Sequence, residues 1–422
     1  MTVVGIISEY NPLHQGHAYH IQNARETTGA EACVCVLSSN FVQRGEPAIL
    51  SKWARTRMAL SSGADLVLEL PCAFSCASAE YFASGAVRIL ESLDSVDYLC
   101  FGSEEGSLTN LEKIAQHLAF ESSDFKANLK KALDDGLSFA SARQFALEAI
   151  QNDPQNKQSQ FLNKPNNILG IEYIKAIRRM GGSMKPITIK RLGPGYNSLD
   201  RASSFSSASA IRHYLAEAPD SIFLETDPFL QSNLPQSSLQ ILTEEFAHGR
   251  GPVYSEAFET ILLHLLRCAP ERELALLPYM EEGLQNRLKE AALQSTSLKG
   301  LVSYTVTSRY PASRIRRILC ALLTGMTGEF LGTLKDNGYA QYIRVLGFND
   351  TGRRLLAGIR KKVCLPLLSK PGNYYRLDNP LARKLFEHEI RATDIYVLGY
   401  KNPKERLGGT EYISSPLYMK PS

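Results

Sequence analysis

The sequence lacks any long hydrophobic run. No stretch approaches the roughly 18 consecutive apolar residues that a membrane-spanning helix needs, although hydrophobic residues make up 44% of the chain. The apolar start, VVGII, also lacks the basic segment and the small-residue cleavage site of a signal peptide. The composition therefore predicts a cytoplasmic globular protein with no membrane partner.

Paired cysteines are also absent, since no CxxC motif occurs among the eight cysteines. The pattern argues against a zinc site or a dithiol redox centre. Several of the cysteines fall inside predicted strands, which favours reduced thiols packed as small hydrophobic side chains. The eight positions are Cys33, Cys35, Cys72, Cys76, Cys100, Cys268, Cys320 and Cys364.

Acidic residues are scarce in one region of the chain. Residues 296–376 hold 14 Lys and Arg against 3 Asp and Glu, whereas the remainder holds 33 against 40. This asymmetry predicts a polyanion-binding region attached to a mildly acidic body. At 422 residues the chain also exceeds what one hydrophobic core usually serves, so two domains are expected.

Short apolar runs alternate with helical stretches in the first part of the sequence. The runs cover residues 3–8, 32–37, 65–71 and 96–102, and a further strand is predicted at 186–192 after a polar loop at 151–165 and a helix from about residue 167. Runs that are apolar on both faces are typical of buried parallel strands. The pattern predicts an α/β fold with a doubly wound parallel sheet over 1–230, and a mainly helical, basic domain over 231–422.

The segment EYNPLHQGH lies where the first predicted strand gives way to a helix. In an open parallel sheet, ligands bind beyond the carboxyl ends of the strands, and a helix N-terminus there attracts phosphate. Gly16 allows close approach of a phosphate to the backbone. The side chains of His14 and His17 can donate hydrogen bonds as charge moves to a leaving pyrophosphate, so we predict that both are catalytic.

A second candidate phosphate-binding element is SSASAIR, which covers Ser206 to Arg212. Its hydroxyl groups can cap a helix, and Arg212 can pair with a phosphate through two hydrogen bonds. The alternative is an ordinary capped helix with an exposed arginine.

These motifs resemble known ones. HQGH, preceded by YNPL and a strand, is similar to the HxGH signature of the nucleotidylyltransferase superfamily, whose ATP-site fold is shared with class I aminoacyl-tRNA synthetases. A serial match over most of the chain resembles the tRNA(Met) cytidine acetate ligase family. It consists of GIISEYNPLHQGH, SSNFVQRGEPAILSKWARTRMAL, GADLVLELP, CFGSE, PNNILGIEYIKAI and IKRLGPGY.

The resemblance implies a reaction and its partners. Members of that family use ATP and acetate to form acetyl-adenylate and then acetylate N4 of the wobble cytidine of elongator tRNA(Met). Mg²⁺ is expected to bridge the phosphates. By resemblance, the ATP contacts are Ile7, Ser8, Glu9, Tyr10, Asn11, Pro12, Leu13, His14, Gln15, Gly16, His17, His20, Gly102, Asn166 and Arg191.

Two positions leave alternatives open. The asparagine of PNNILG that contacts ATP is assigned to Asn166, with Asn167 as the alternative or as a helix cap. The loop at 40–52 follows the second strand and so faces the same edge of the sheet. Its Gln43, Arg44 and Lys52 can contact phosphate, a carboxylate substrate or RNA, or can simply be solvated.

The basic region contains two predicted helices with apolar stripes. The first carries Arg314, Arg316 and Arg317, and the second covers RRLLAGIRKK at 353–362. Tyr310, Tyr339 and Tyr342 lie near these arginines in the sequence, and an exposed aromatic ring can stack on an unpaired base. The region predicts a tRNA-binding surface, against the alternative of solvated helix faces.

Two other functions remain compatible with the motifs. A small-molecule adenylyltransferase of cofactor biosynthesis needs the same HxGH site, but it does not need a basic helical extension of about 200 residues. An RNA-binding protein with a degenerate nucleotide fold is disfavoured because both histidines of the motif are present.

Overall fold

A central sheet of eight strands forms the middle layer of the protein. The computed structural model describes residues 1–150, 161–162, 164–191, 206–218, 223–281, 283–359 and 363–420. Most of the predicted loop at 151–165 falls outside the described residues, and so do residues 192–205.

The elements follow one another along the chain without an internal repeat. The strands are β1 Val3–Ser8, β2 Ala32–Ser38, β3 Phe41–Val42, β4 Glu46–Pro47, β5 Leu66–Leu70, β6 Tyr98–Ser103, β7 Lys185–Lys190, β8 Ile343–Phe348, β9 Leu367–Leu368 and β10 Leu417–Tyr418. The helices of the first half are α1 Gln15–Thr28, α2 Lys52–Ser61, α3 Cys72–Ser75, α4 Ala79–Glu91, α5 Leu108–Ala119, α6 Ser123–Asp134, α7 Phe139–Ile150, α8 Pro165–Met180 and α9 Ala208–Glu217. The later helices are α10 Pro228–Asn233, α11 Gln236–Ala247, α12 Glu259–Cys268, α13 Glu271–Leu274, α14 Leu284–Gln294, α15 Leu298–Thr305, α16 Ala312–Thr324, α17 Gly328–Asp336, α18 Asp350–Ile359, α19 Pro380–Tyr396 and α20 Thr410–Ile413. Short 3₁₀ turns cover Leu224–Thr226, Ser255–Phe258, Pro371–Arg376, Val397–Gly399 and Pro403–Glu405.

The inner strands are apolar on both faces because helices cover the sheet on both sides. Along β1, Val3 packs into one hydrophobic core, whereas Val4 and Ile6 pack into a second core on the opposite face. The same alternation separates Val34 from Cys33 in β2. The predicted α/β fold with a doubly wound sheet is thereby confirmed.

The strand order places a ligand site at one point of the sheet. The order is β10-β8-β5-β2-β1-β6-β7, and β5, β2, β1, β6 and β7 pair in parallel. The chain winds from β1 outward through β2 and β5, then crosses back to pair β6 on the other side of β1. Ligands bind where the order reverses, beyond the carboxyl ends of β1 and β6.

The second half of the chain is mainly helical, as predicted, but it also extends the sheet. Strand β8 pairs antiparallel with β5, and β9 and β10 pair with β8. No strand is predicted beyond residue 192 from the sequence, so β8 at Ile343–Phe348 corrects that expectation. A boundary at residue 230 stays a prediction, and both sides of it contribute to one hydrophobic core.

The cysteines are thiols rather than disulfides, and most of them pack as small hydrophobic groups. Five are buried, Cys76 is half-buried, and Cys268 and Cys364 are exposed.

In the described part of the chain, no single helix is long and apolar enough to cross a membrane. Only α16 and α17 together reach that length and composition, and they meet at a 96° bend.

Candidate active site

A cavity of about 170 Å³ opens at the point where the strand order reverses. Its walls come from the carboxyl ends of β1, β6 and β7 and from the N-terminal turns of α1, α8 and α9. The N-terminal ends of α1, α8 and α9 thus lie at the same space, and a helix N-terminus favours negative charge. The arrangement suits a ligand that carries several negative charges.

The two histidines of the HxGH motif are held by the start of α1. His14 is the N-cap residue, and its Nδ1 accepts a hydrogen bond from the Gly16 N–H at 3.0 Å. The Nδ1 of His17 accepts from the His14 N–H at 3.4 Å, which completes a reciprocal capping box. The imidazole rings stack with centroids 3.8 Å apart.

Both imidazoles are neutral near pH 7. Burial lowers the pKa of His14 to about 3, and the charges of Arg191 and Arg212 lower it further. Burial likewise lowers the pKa of His17 well below its usual value, with the neighbouring His14 as the next cause. Because the Nδ1 of His14 accepts from the Gly16 N–H, the single ring proton of His14 resides on Nε2. The ring of His17 also makes a hydrogen bond to the backbone of Pro12. The motif therefore places two neutral imidazoles, rather than two positive charges, at the cavity.

The opposite wall is built from β6, β7 and α8. The guanidinium of Arg191 donates a hydrogen bond to Oδ1 of Asn166 at 3.2 Å, and Nδ2 of Asn166 donates to Glu104 at 2.7 Å. Gly102 lies against Arg191, since an added Cβ would stand 3.2 Å from its Cγ. This close packing fixes the arginine over the cavity.

The structure separates the two asparagines of PNNILG. Asn166 lines the cavity, whereas Asn167 is fully buried beneath it and accepts from the Glu104 N–H at 3.1 Å. Asn167 is not the helix cap either, because Lys164 precedes Pro165 at that position. The geometry favours Asn166 as the residue that can reach a ligand.

Helix α9 brings the second predicted element to the cavity. Ser207 caps the helix by accepting from the Ala210 N–H at 3.1 Å. The Arg212 side chain donates to the carbonyl oxygen of Asn11 at 2.8 Å and to Ser209 at 3.3 Å. The SSASAIR segment and the HxGH motif thus meet in one cavity, although about 190 residues separate them in the chain.

Most of the predicted nucleotide contacts lie around this cavity. Those that line it are Ile7, Ser8, Glu9, Tyr10, Asn11, His14, Gly16, His17, His20, Gly102, Asn166 and Arg191. Pro12, Leu13 and Gln15 do not line it. Leu13 is fully buried in the core, and Gln15 donates a hydrogen bond to the carbonyl oxygen of Leu234 at 3.2 Å.

Sequence reasoning missed the apolar wall. Phe82, Phe101, Leu169, Tyr173 and Ile189 line the cavity on one side. In the sequence they look like ordinary core residues at helical or strand spacing. The only available signal was their position at or beside the ends of predicted strands and helices, and such a signal does not separate wall from core.

The family of the chain follows from comparison with known proteins. Residues 1–411 match the family HIGH Nucleotidyl Transferase. A tRNA(Met) cytidine acetate ligase of Acetivibrio thermocellus is 46% identical over 419 residues, which cover 99% of this chain and 100% of the relative. The chain belongs to this ligase family of HIGH nucleotidyl transferases. A ligase of the same name from Thermoanaerobacter sp. (strain X514) is 42% identical over 414 residues, covering 98% of each chain.

Solved structures of the ligase family share the whole fold. The crystal structure of Thermotoga maritima TmcAL bound with alpha-thio ATP has a TM-score of 0.92, with 33% identity over 100% of both chains. The same protein in its apo form has a TM-score of 0.94. The resemblance stated from the motifs is thus confirmed at the level of family and fold.

The loop at 40–52 supports the cavity in a different way than predicted. Gln43 lines the cavity, and its N–H donates to the Glu9 carboxylate at 2.8 Å. Lys52 cannot contact phosphate, acetate or RNA, because its ammonium group is fully buried among Glu69, Glu389 and Glu411. This burial could not be predicted from the local sequence, since two of the three partners lie over 300 residues away along the chain.

The predicted basic surface is partly engaged within the molecule. On α16, Arg316 pairs with Glu46 at 2.7 Å, and Arg314 donates to Glu281 at 3.0 Å. Arg317 is half-buried over the ring of Tyr279. The two helices keep their apolar stripes, but these arginines also fasten α16 to its neighbours.

The three tyrosines predicted to stack on bases also make contacts within the protein. Tyr342 is buried, so its predicted role on an RNA base is wrong. Tyr339 packs against Phe74 and Tyr81, and Tyr310 lies under the guanidinium of Arg314 at 5.1 Å. Residues 360–362 of the second basic cluster lie outside the described residues.

Proposed function

We propose that the protein joins acetate to ATP, releases diphosphate, and transfers the acetyl group from acetyl-adenylate to N4 of the wobble cytidine of elongator tRNA(Met). The observation that carries the proposal is the 46% identity to a tRNA(Met) cytidine acetate ligase over the full length of both chains. The reaction needs ATP and tRNA, so we place it in the cytoplasm.

The cavity accounts for the first half of this reaction. An acetate oxygen attacks the α-phosphorus of ATP, and negative charge moves to the departing diphosphate. The imidazoles of His14 and His17 donate to the phosphates, and Arg191 and Arg212 balance the charge from the other walls. Donors that are fixed before the reaction stabilise the transition state by about 3 kcal/mol each. Acetate needs this activation because a free carboxylate is a poor acyl donor.

The described residues that line the cavity do not include a set of carboxylates that could bind Mg²⁺ without a substrate. Glu9 is the only carboxylate among the described lining residues, and it already accepts the Gln43 N–H. Burial raises the pKa of Glu9, which disfavours a free carboxylate there. Magnesium usually keeps several waters and is held by substrate phosphates. The expected Mg²⁺ would therefore arrive with ATP, and no step here depends on it.

One assay tests the proposal against its alternatives. The protein is incubated with ATP, labelled acetate and bulk tRNA, and the label in tRNA and the release of diphosphate are measured. We expect label in tRNA, in N4-acetylcytidine after digestion to nucleosides. Diphosphate release only with a small-molecule acceptor supports an adenylyltransferase of cofactor biosynthesis instead. No turnover with any acceptor supports an RNA-binding protein without activity.

A further inference from the structure

A second cavity, of about 670 Å³, lies beside the first. It is enclosed by the β3–β4 hairpin, the turn at Ser255–Phe258 and helices α12, α15 and α16. Arg212 lines both cavities, and the hairpin forms the partition between them. Gln43 faces the first cavity, while Phe41 and Glu46 line the second.

The interior of the second cavity is apolar and aromatic. Phe41 and Phe258 are buried in its wall, with ring centroids 6.2 Å apart, and Leu262 and Val302 continue the apolar surface. Its volume falls in the range of about 300–1,000 Å³ that is typical of small-molecule sites. The flat faces of a heterocyclic ring can pack against these apolar and aromatic side chains.

The lining also carries cations at its exposed edge. Lys299 is exposed, and within the described part of the chain it has no ion-pair partner. Arg316 is 43% exposed and pairs with Glu46, and Arg212 stands at the side shared with the first cavity. An apolar interior with a cationic edge fits a base whose flanking phosphates remain outside.

We propose that this second cavity, the acceptor cavity, receives the cytosine ring that is to be acetylated. The inference rests on the proposed function, because it requires a nucleoside acceptor. The exocyclic amine must reach the acetyl carbonyl carbon of an adenylate held beside His14 and Arg212. A base in the acceptor cavity approaches that carbon from the wall that Arg212 shares between the two cavities.

The transfer step balances without a further reactant. The cytosine N4 forms a bond to the acetyl carbon, and the bond from that carbon to the AMP oxygen breaks. The electron pair leaves with AMP, and the proton lost by the amine passes to solvent. Arg212, which faces both cavities, is placed to stabilise the charge on the departing AMP.

A matched pair of tryptophan substitutions tests the acceptor cavity. Ser303 is exposed and lines the cavity, whereas its neighbour Tyr304 is exposed and does not. Ser303→Trp fills the opening, so we expect acetyl transfer to tRNA to fall at least tenfold. Acetate-dependent exchange of labelled diphosphate into ATP should stay within twofold of the wild type. Tyr304→Trp should leave both rates unchanged.

Each result bears on a different claim. A wild-type enzyme that exchanges diphosphate but never labels tRNA contradicts the proposed function, whatever the variants do. If the wild type labels tRNA and Ser303→Trp transfers acetyl groups at the normal rate, the acceptor cavity is overturned. The same follows if Ser303→Trp unfolds at the normal temperature but loses diphosphate exchange and acetyl transfer to the same extent. Should Ser303→Trp unfold, Lys299→Ala replaces it, with an expected severalfold rise in KM for tRNA and unchanged exchange.

Discussion

His14 combines a structural role with a chemical one in a single side chain. Its Nδ1 caps α1, while its other ring nitrogen is left to donate toward the cavity. An asparagine at this position keeps a good N-cap but loses the imidazole donor. The two roles can therefore be separated by substitution.

We predict that His14→Asn and His17→Asn each lower acetate-dependent diphosphate exchange by about a hundredfold or more, the typical loss for one fixed donor. Binding of tRNA, measured by filter retention, should change less than twofold. His213→Asn, at an exposed histidine on α9, is the matched control. Parallel loss of exchange and tRNA binding would contradict separate roles for the two halves of the molecule.

Buried neutral histidines make stability depend on pH. Burial lowers the pKa of His388 to about 4 and that of His14 to about 3, against 6.5 in the unfolded chain. Above pH 6.5 neither state binds the proton, so stability is unaffected. As the pH falls from 6.5 toward 4, the unfolded chain gains protons that the folded chain cannot accept, and stability is lost.

The expected size of this loss is about 2 kcal/mol per buried histidine at pH 5. We predict that His388→Leu reduces the difference in unfolding free energy between pH 7 and pH 5 by about that amount. Urea titrations at both pH values measure it, and His213→Leu provides an exposed comparison. An unchanged difference in His388→Leu would refute the assignment.

At the scale of elements, the β3–β4 hairpin connects the nucleotide cavity to the basic helix. Its turn residue Gly45 has φ +77 and lies directly on α16. An added Cβ would overlap the backbone of Arg316 and Arg317, which cannot move as a flexible side chain does. The contact between hairpin and helix thus depends on a missing side chain.

We predict that Gly45→Ala lowers the unfolding free energy by more than the backbone strain of an alanine at positive φ accounts for. We also expect it to slow acetyl transfer to tRNA. The control is Gly338→Ala, where φ is +80 but nothing lies within 4 Å of the added carbon. Gly338→Ala should lower the unfolding free energy, measured by urea titration, by about 1 kcal/mol. Equal losses of unfolding free energy in the two variants would show that the hairpin can shift away from α16 without loss of stability.

The sequence predicted elements best where local pattern decides them. Strands β1, β2, β5, β6 and β7 were expected within one or two residues of where they lie, because buried parallel strands are continuous apolar runs. Strand β8 was missed, since Arg344 interrupts its apolar run. That arginine is buried because Glu411 and Glu69 pair with it, and no local pattern reports such distant partners.

The same limit applied to the site. The HxGH motif and SSASAIR are local, so both could be named as candidate phosphate-binding elements from the sequence, whereas only the structure brings His14, His17 and Arg212 into one cavity. None of the alternatives left open for Lys52 is correct, because a polar loop next to the motif looks the same whether its lysine faces solvent or a buried carboxylate. Spacing also could not choose between Asn166 and Asn167, which are both buried in the first turn of α8 but of which Asn166 alone lines the cavity.

At the scale of the whole molecule, five buried charges join the two ends of the chain. Lys52 and Arg344 lie among three carboxylates, Glu69, Glu389 and Glu411. Burial and the charge of Glu389 raise the pKa of Glu69 to about 7. The pKa of Glu411 falls to about 2, because the charges of Arg344 and Lys52 outweigh the effect of burial.

We predict that Lys52→Met lowers the unfolding free energy by about 3–5 kcal/mol, since it leaves uncompensated buried carboxylates. Those carboxylates take up protons as the pH falls, so the deficit should be smaller at pH 6 than at pH 8. Urea unfolding at both pH values measures this, with the exposed Lys130→Met as control. A deficit independent of pH would argue against carboxylates as its source.

The same cluster has a consequence for how the protein is made. Glu411 follows almost all of the chain in order of synthesis, whereas Lys52 and Glu69 are among the first residues to emerge. A translation product that stops before Glu411 keeps the nucleotide motifs but lacks one of the anions that neutralise Lys52 and Arg344. We therefore expect a chain cut before Glu411 to be less stable than one that contains it, even though both carry the nucleotide motifs.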